Sequence, residues 1–547
     1  MVHPMSRVRD IAVAVTVALA LLAPIQQSAQ LLAQGKGKPH ERSVAADLLI
    51  RGGTVVDGSG APVRRADVAI RGDRIVFVGD ATRGGIRASR TLDAAGLIVA
   101  PGFIDPHTHT LEDLLAHDRR SNVPYLMQGV TTVVSNNDGG GRTDIGRTFA
   151  ALARDSIGTN VALYVGQGAV RGQVMGMSDA APTAVQLDSM RAIVTRGMAD
   201  GALGLSTGLY YAPGSYATTD EVIQLARIAA QAGGIYDSHM RDESSYTIGL
   251  IGSVNETIRI GRDAGLPVHI SHIKALGADV WGQADTVVAL MKAARATGLE
   301  VTADEYPYLA SGTSVGASLL PRWAEAGGRD SLRARIADSA THARLVTEME
   351  RNLVRRGGAA SLLITSTRDS TILGKTLAQV AEARHVSPVE ASLQIVRVAD
   401  ASVASFNMKD ADLEKFMVQP FVMTGSDGSD GHPRKYGTFP RKLREYVLDR
   451  KLLTMPQMVH VSSALTATTL GLADRGVLAA GRLADVIVFD PKTVRDRATY
   501  QEPRLLATGM RYVLVNGQLA VSEGAYTGAL AGRPLRHTPR AAAVMSR

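Results

Sequence analysis

A chain of 547 residues, 45% hydrophobic and 20% charged, is too apolar for a disordered protein and too long for one ordinary domain. Its net charge of +8 does not describe a basic nucleic-acid-binding face, because five basic against two acidic residues in 1–42 and four basic with no acidic residues in 533–547 carry seven of the eight charges. There is no cysteine, which excludes disulfides, thiolate metal ligands and cysteine nucleophiles.

At the N-terminus, Arg7 and Arg9 precede an apolar run over 11–25. The run is shorter than the roughly 20 residues of a membrane span. It reads as an export signal over 1–33, which places the mature protein in the periplasm or outside the cell. The competing reading is an uncleaved anchor. No other run is long enough to span, so no membrane association is expected after signal removal. Residues 34–44 read as a flexible lead-in.

Residues 45–96 alternate strand-like runs with turns, and Gly72-Asp73 marks a hairpin. From residue 97 the texture changes. Short apolar strands are predicted at 97–105, 131–135, 161–165, 202–205, 234–236, 267–270, 300–303 and 421–423, with amphipathic runs between them. One such run, 219–233, has Thr219 as its expected N-cap and Gly233 as its stop. Eight strands with intervening helices predict a (β/α)8 TIM barrel over 97–465. A doubly wound sheet competes, but no Gly-x-Gly-x-x-Gly turn follows a first strand. The gap between the seventh and eighth strands is too long for a simple connection. An inserted subdomain or lid is expected there, at 312–365. Strand texture returns late in the chain, so 45–96 and 466–536 are expected to form a small β-sandwich domain from both chain ends. Residues 537–547 read as a disordered basic tail.

In a barrel of this kind the chemistry sits at the C-terminal ends of the strands. There the sequence places His107 and His109, Asn136-Asn137-Asp138, Gln167, His239, His272 with Lys274, Asp304-Glu-Tyr306, and Ser426-Asp427-Gly428. His107 and His109 are two residues apart in an extended segment and point to one side. Four of the 13 histidines thus converge with carboxylates on one face. Imidazole and carboxylate ligands suit zinc or a similar divalent ion, which acidifies a bound water, and a free carboxylate then serves as general base and acid. Lys274, Tyr306 and Arg434 are positioned to clamp a substrate carboxylate. For either cation alone, a surface salt bridge is the competing reading.

These residues carry a resemblance to a known family. Pro101-Gly-Phe-Ile-Asp-Pro-His-Thr-His109, Gly129-Val-Thr-Thr-Val133, Gly201-Ala-Leu-Gly-Leu-Ser-Thr-Gly-Leu209, His239-Met-Arg-Asp-Glu243, Ile270-Ser-His-Ile-Lys274, Tyr306-Pro-Tyr308, Gly425-Ser-Asp-Gly428 and His432-Pro-Arg434 all contribute. From about 45 to 536 the chain resembles the amidohydrolase superfamily, and within it the N-acyl-D-amino-acid deacylases (D-aminoacylases). The resemblance implies a tightly bound Zn2+ on His239 and His272, and a possible second metal helped by His107 and His109. It implies Asp427 as the general base, with Lys274, Tyr306 and Arg434 binding the α-carboxylate of a small-molecule substrate. Two positions depart from the family. Asp138 stands where the family usually has a cysteine ligand, and Gln167 stands where relatives often show histidine. Asp is a harder but competent ligand, able to bridge two metals. No lysine lies in 201–210, which disfavours a carboxylated-lysine centre. The expected activity is zinc-dependent cleavage of the amide of an N-acyl-D-amino acid. A dipeptidase, a cyclic-amide hydrolase and a non-catalytic binding protein are the alternatives. The sequence assigns no oligomeric state.

Overall fold

Segments rich in Val, Ile and Thr, buried on both faces, are suited to the interior strands of a parallel sheet, and here they close into a barrel. The structure is a computed structural model that describes residues 44–537. The expected signal peptide, the lead-in before Val44 and the tail after His537 lie outside the described residues. Among the described residues, no helix is long and apolar enough to cross a membrane.

The barrel strands are β1 (Phe103–Asp105), β2 (Val130–Ser135), β3 (Asn160–Leu163, continued by Val165–Gly166), β4 (Gly204–Gly208), β5 (Ile235–His239), β6 (Val268–Ile270), β7 (Val301–Glu305) and β8 (Val422–Thr424). Neighbours pair in parallel: Ile104 lies beside Thr132, Thr132 beside Asn160, Leu205 beside Val165 and Tyr236, Val268 beside Tyr236 and Val301, and Ala303 beside Val422. Closure comes just past the strand ends, where the Asp427 amide donates to the His107 carbonyl at 2.9 Å and the His109 amide to the Gly428 carbonyl at 3.1 Å. A closed ring excludes the doubly wound alternative.

Helices between the strands follow their sequence signals. In Thr219–Gln231 the N-cap is Thr218, one residue before the expected Thr219, because the Thr218 side chain accepts from the Glu221 amide at 3.2 Å. Gly233, at φ +72°, stops that helix as expected.

The run expected as one strand over 97–105 divides at Gly102. Ile98–Pro101 pairs antiparallel with Val486–Phe489 and parallel with Val44–Val55, so it belongs to the terminal sheet. Only Phe103–Asp105 enters the barrel. A Cβ on Gly102 would lie 2.2 Å from Thr131 Oγ1, so the passage between the two sheets requires glycine. The chain ends build one nine-stranded sheet from strands between Val44 and Pro101 and between Val486 and Tyr526. The C-terminal domain range, expected from 466, starts later in structural terms. Ala464–Thr469 is helical, and residues around 532 and 534 bridge to Ile157 and Val161 of the barrel. A buried network joins the sheet to β3. Arg475 pairs with Asp485, Asn516 receives Arg475 Nη2 at 3.0 Å, Asn516 Nδ2 donates to Asn160 Oδ1 at 2.8 Å, and Asn160 Nδ2 donates to Asp485 at 3.2 Å.

The insertion is wider than 312–365. Strand Ala310–Ser314 pairs with Ser402–Phe406, which pairs with Leu362–Ser366, all antiparallel. Helices including Ser339–Arg355 and Pro388–Val398 pack on them around a separate core containing Leu345, Met349 and Leu393. The returning strand at 402–406 pairs across some 90 residues of chain, and this closes the unit.

Candidate active site

The C-terminal strand ends floor a cavity of about 430 Å³, walled partly by the insertion through Ser311, Gly312, Thr313, Arg356 and Val403. The metal-type side chains at this floor, with His107 buried behind it, come from separate strands. His107 and His109 follow β1, Asp138 follows β2, His239 ends β5, His272 follows β6 and Asp427 follows β8. Asp138 is their centre. Its Oδ1 lies 3.3 Å from His107 Nε2, 3.6 Å from His239 Nδ1 and 3.4 Å from His272 Nε2, and its Oδ2 lies 3.4 Å from His109 Nε2. Two groups with metal-holding geometry result: His107, His109, Asp138 and Asp427, and Asp138, His239 and His272. They share Asp138.

The backbone is bent to reach this arrangement. Asp138 has φ +57°, His272 +35° and Asp427 +46°. Left-handed conformations in residues other than glycine cost of order 1 kcal/mol each and recur at functional sites. The turn carrying Asp138 is held from both sides. Asn136 Nδ2 donates to the Tyr164 carbonyl at 3.0 Å, and Asn137 Nδ2 donates to the Pro106 carbonyl at 3.1 Å and to Asp237 at 3.2 Å. Gly139 (φ +67°) follows, where a Cβ would stand 2.6 Å from the Gly208 amide nitrogen.

The residues fit a divalent ion. Both ring nitrogens of His107 and Asp138 Oδ1 are buried without hydrogen-bond partners among the described residues. Such orphaned lone pairs are costly unless something coordinates them. Nitrogen and oxygen donors without sulfur suit zinc and its neighbours. Burial opposes ionisation of Asp138, but the imidazoles of His107 and His272 outweigh it and hold the carboxyl well below the usual range. Burial likewise opposes ionisation of Asp427, where the Arg434 guanidinium and His272 prevail and keep it a carboxylate.

Asp427 is 3.0 Å from His109 Nε2 through Oδ1, while its Oδ2 meets Arg434 Nη1 at 2.8 Å. Arg434 lies over the Tyr306 ring at 4.6 Å, and a Cβ at Gly312 would approach its Nη2 to 2.7 Å. His432 fixes the Arg434 backbone: its Nδ1 accepts from the Arg434 amide at 3.2 Å, and its Nε2 donates to the Ala310 carbonyl at 3.1 Å. Burial and the adjacent guanidinium push the His432 ring well below its ordinary pKa, in keeping with a neutral ring.

Lys274 and Tyr306 line the cavity but are engaged differently from the expectation. Lys274 Nζ donates to Glu243 Oε1 at 2.7 Å and lies 2.8 Å from His272 Nδ1. The Tyr306 hydroxyl points to Met408 Sδ at 3.8 Å, and its ring lies 5.8 Å from Lys274 Nζ. Gln167 is buried and does not line this cavity.

Three further residues, to which the sequence reading assigned no role, support this site. Glu243 Oε1 is 3.2 Å from His272 Nδ1, placed to fix that ring with Nε2 toward Asp138. Its signal was its place four residues after His239. Asp304 accepts from the His272 amide at 3.0 Å and meets His269 Nε2 at 2.9 Å, supporting the β6 end. Arg356 enters the cavity wall from the insertion, with no local pattern to mark it.

Comparison with known proteins agrees with this geometry. Residues 90–521 match the Amidohydrolase family. The chain is 36% identical over 521 residues to the D-aminoacylase of Alcaligenes xylosoxydans xylosoxydans, covering 90% of this chain and 98% of the relative. It is 35% identical over 497 residues to the N-acyl-D-glutamate deacylase of the same organism, covering 86% and 93%. Among solved structures it is similar to the Bordetella bronchiseptica N-acyl-D-glutamate deacylase complexed with zinc and a phosphonate mimic of the reaction's tetrahedral intermediate. That match has 34% identity, a TM-score of 0.77, and coverage of 90% of this chain and 100% of the other. Fold, site and similarity agree: this chain belongs to the amidohydrolase family, in the branch of the N-acyl-D-amino-acid deacylases.

Proposed function

We propose that the protein is a zinc-dependent hydrolase that cleaves N-acyl-D-amino acids to a carboxylate and a free D-amino acid. The observation that carries this reading is Asp138, set among four imidazoles with the ionised Asp427 alongside, on the floor of a cavity of substrate size. His239, His272 and Asp138 would hold the tighter ion, and His107 and His109, with Asp138 and Asp427, would hold a second. A divalent ion there supplies Lewis-acid polarisation of the amide carbonyl and an acidified water.

The chain's own residues do the rest. Asp427 takes a proton from the attacking water at its carboxylate. As oxygen bonds to the amide carbon and the carbon–nitrogen bond breaks, the same proton passes to the leaving nitrogen. Arg434, over the Tyr306 ring, faces the substrate's α-carboxylate with Lys274 at the same ring. Glu243 holds Lys274 and His272 in place, so it acts as a positioning residue. The reading includes export, supported by the apolar run that follows Arg7 and Arg9.

A substrate panel tests the proposal. Metal-loaded protein is expected to hydrolyse N-acetyl-D-amino acids in preference to L-enantiomers, dipeptides and hydantoins, and to lose activity with a chelator. No turnover of any N-acyl-D-amino acid would overturn the reading.

A further inference from the structure

Four arginines are buried in the described structure: Arg171, Arg356, Arg434 and Arg475. Three have carboxylate partners: Arg171 with Glu221, Arg434 with Asp427 and Arg475 with Asp485. Arg356 has none among the described residues, although it is only 3% exposed. It is also in the wall of the active cavity. A buried guanidinium without a counter-charge costs several kcal/mol, so an unpaired one at a cavity marks a place for an anion.

The surroundings are built to hold this charge without neutralising it. Arg356 Nη2 donates to the Tyr210 hydroxyl at 2.9 Å, and that hydroxyl donates in turn to the Ala317 carbonyl at 2.6 Å. The guanidinium carbon lies 5.6 Å from the Tyr246 ring centre and 6.0 Å from that of Tyr210. Arg356 Nε and the Tyr246 hydroxyl are both buried donors that find no hydrogen-bond acceptor of good geometry among the described residues. Glu243, an acid of the same cavity wall, is already taken by Lys274. Tyr210 also touches the metal group, with its ring centre 5.8 Å from that of His239. The unpaired cation is therefore one tyrosine away from the ligand cluster.

We infer that Arg356, with the Tyr246 hydroxyl, receives a second carboxylate of the substrate, so that the preferred substrates are dianionic N-acyl amino acids. This rests on the deacylase reading, in which the first carboxylate faces Arg434. The second carboxylate has two sources, an acidic amino-acid side chain or an acidic acyl group, and the two are separated by substrate choice.

The test is kcat/KM for N-acetyl-D-glutamate, N-succinyl-D-leucine and N-acetyl-D-leucine, on zinc-loaded wild type, Arg356→Gln and Arg356→Lys. Wild type is expected to prefer one of the dianions over N-acetyl-D-leucine. In Arg356→Gln that preference ratio falls about 100-fold, in the range for removing one partner of a buried charged pair. Arg356→Lys retains part of it. Loss on N-acetyl-D-glutamate assigns the carboxylate to the amino-acid side chain, and loss on N-succinyl-D-leucine assigns it to the acyl group. Tyr246→Phe, which leaves the guanidinium in place, lowers the ratio about tenfold. Thermal unfolding and zinc content check that the variants are folded. An unchanged ratio in Arg356→Gln and Tyr246→Phe overturns the inference and leaves the deacylase reading standing. If the wild type turns over none of the three, the deacylase reading falls. Calorimetric binding of the same compounds then decides on Arg356: a dianion preference lost in Arg356→Gln supports it, and its absence overturns it.

Discussion

Replacing Asp138 by Asn keeps the shape of the side chain and removes its charge. Among the described residues this carboxylate is the one group that belongs to both candidate ion positions, with its oxygens 3.3–3.6 Å from nitrogens of His107, His109, His239 and His272. Loss of a mere outer partner of a metal ligand lowers metal affinity 10–100-fold, so loss of this shared ligand should cost at least about 100-fold, or about 2.7 kcal/mol. The assay is zinc per chain after dialysis against a zinc-buffering chelator, paired with kcat/KM on N-acetyl-D-leucine. Both are expected to fall together in Asp138→Asn. Asp138→Cys should keep zinc, because a thiolate is a strong zinc ligand. Full zinc content and wild-type kcat/KM in Asp138→Asn would refute the central place given to this residue.

Glu243→Gln should weaken zinc binding about 10–100-fold, measured by chelator competition, because Gln cannot fix His272 and Lys274 as the carboxylate does. Arg475→Ala leaves Asp485 buried without its cation where the terminal sheet meets β3, and should destabilise the fold by about 3–5 kcal/mol in denaturant titration. Gly102→Ala forces a methyl against Thr131 and should lower stability by about 1–3 kcal/mol, with zinc binding by the folded fraction retained.

The sequence made legible what is local or repeats. Each barrel strand is a short buried run ending in polar residues, so the positions of His107, His239, His272 and Asp427 at one rim followed from strand ends alone. What stayed hidden depends on contacts between distant segments. The break at Gly102 is invisible in a continuous apolar run, because it is set by the side chain of Thr131 on the next strand. The insertion was read too short because its closing strand, 402–406, has partners near 310 and 362. Lys274 looked free to bind substrate, but its partner Glu243 lies 31 residues away in sequence. Arg356 is the C-cap of the helix Ser339–Arg355, and only the tertiary fold brings it to Tyr210.

The most direct test of the account is zinc content and turnover of N-acetyl-D-amino acids before and after Asp427→Asn. Asp138, His239 and His272 remain to hold the ion, so the variant should keep its tightly bound zinc. Its kcat should fall about 10²–10⁴-fold, the scale of a lost general base and acid. A variant that keeps both its zinc and wild-type kcat would contradict the account.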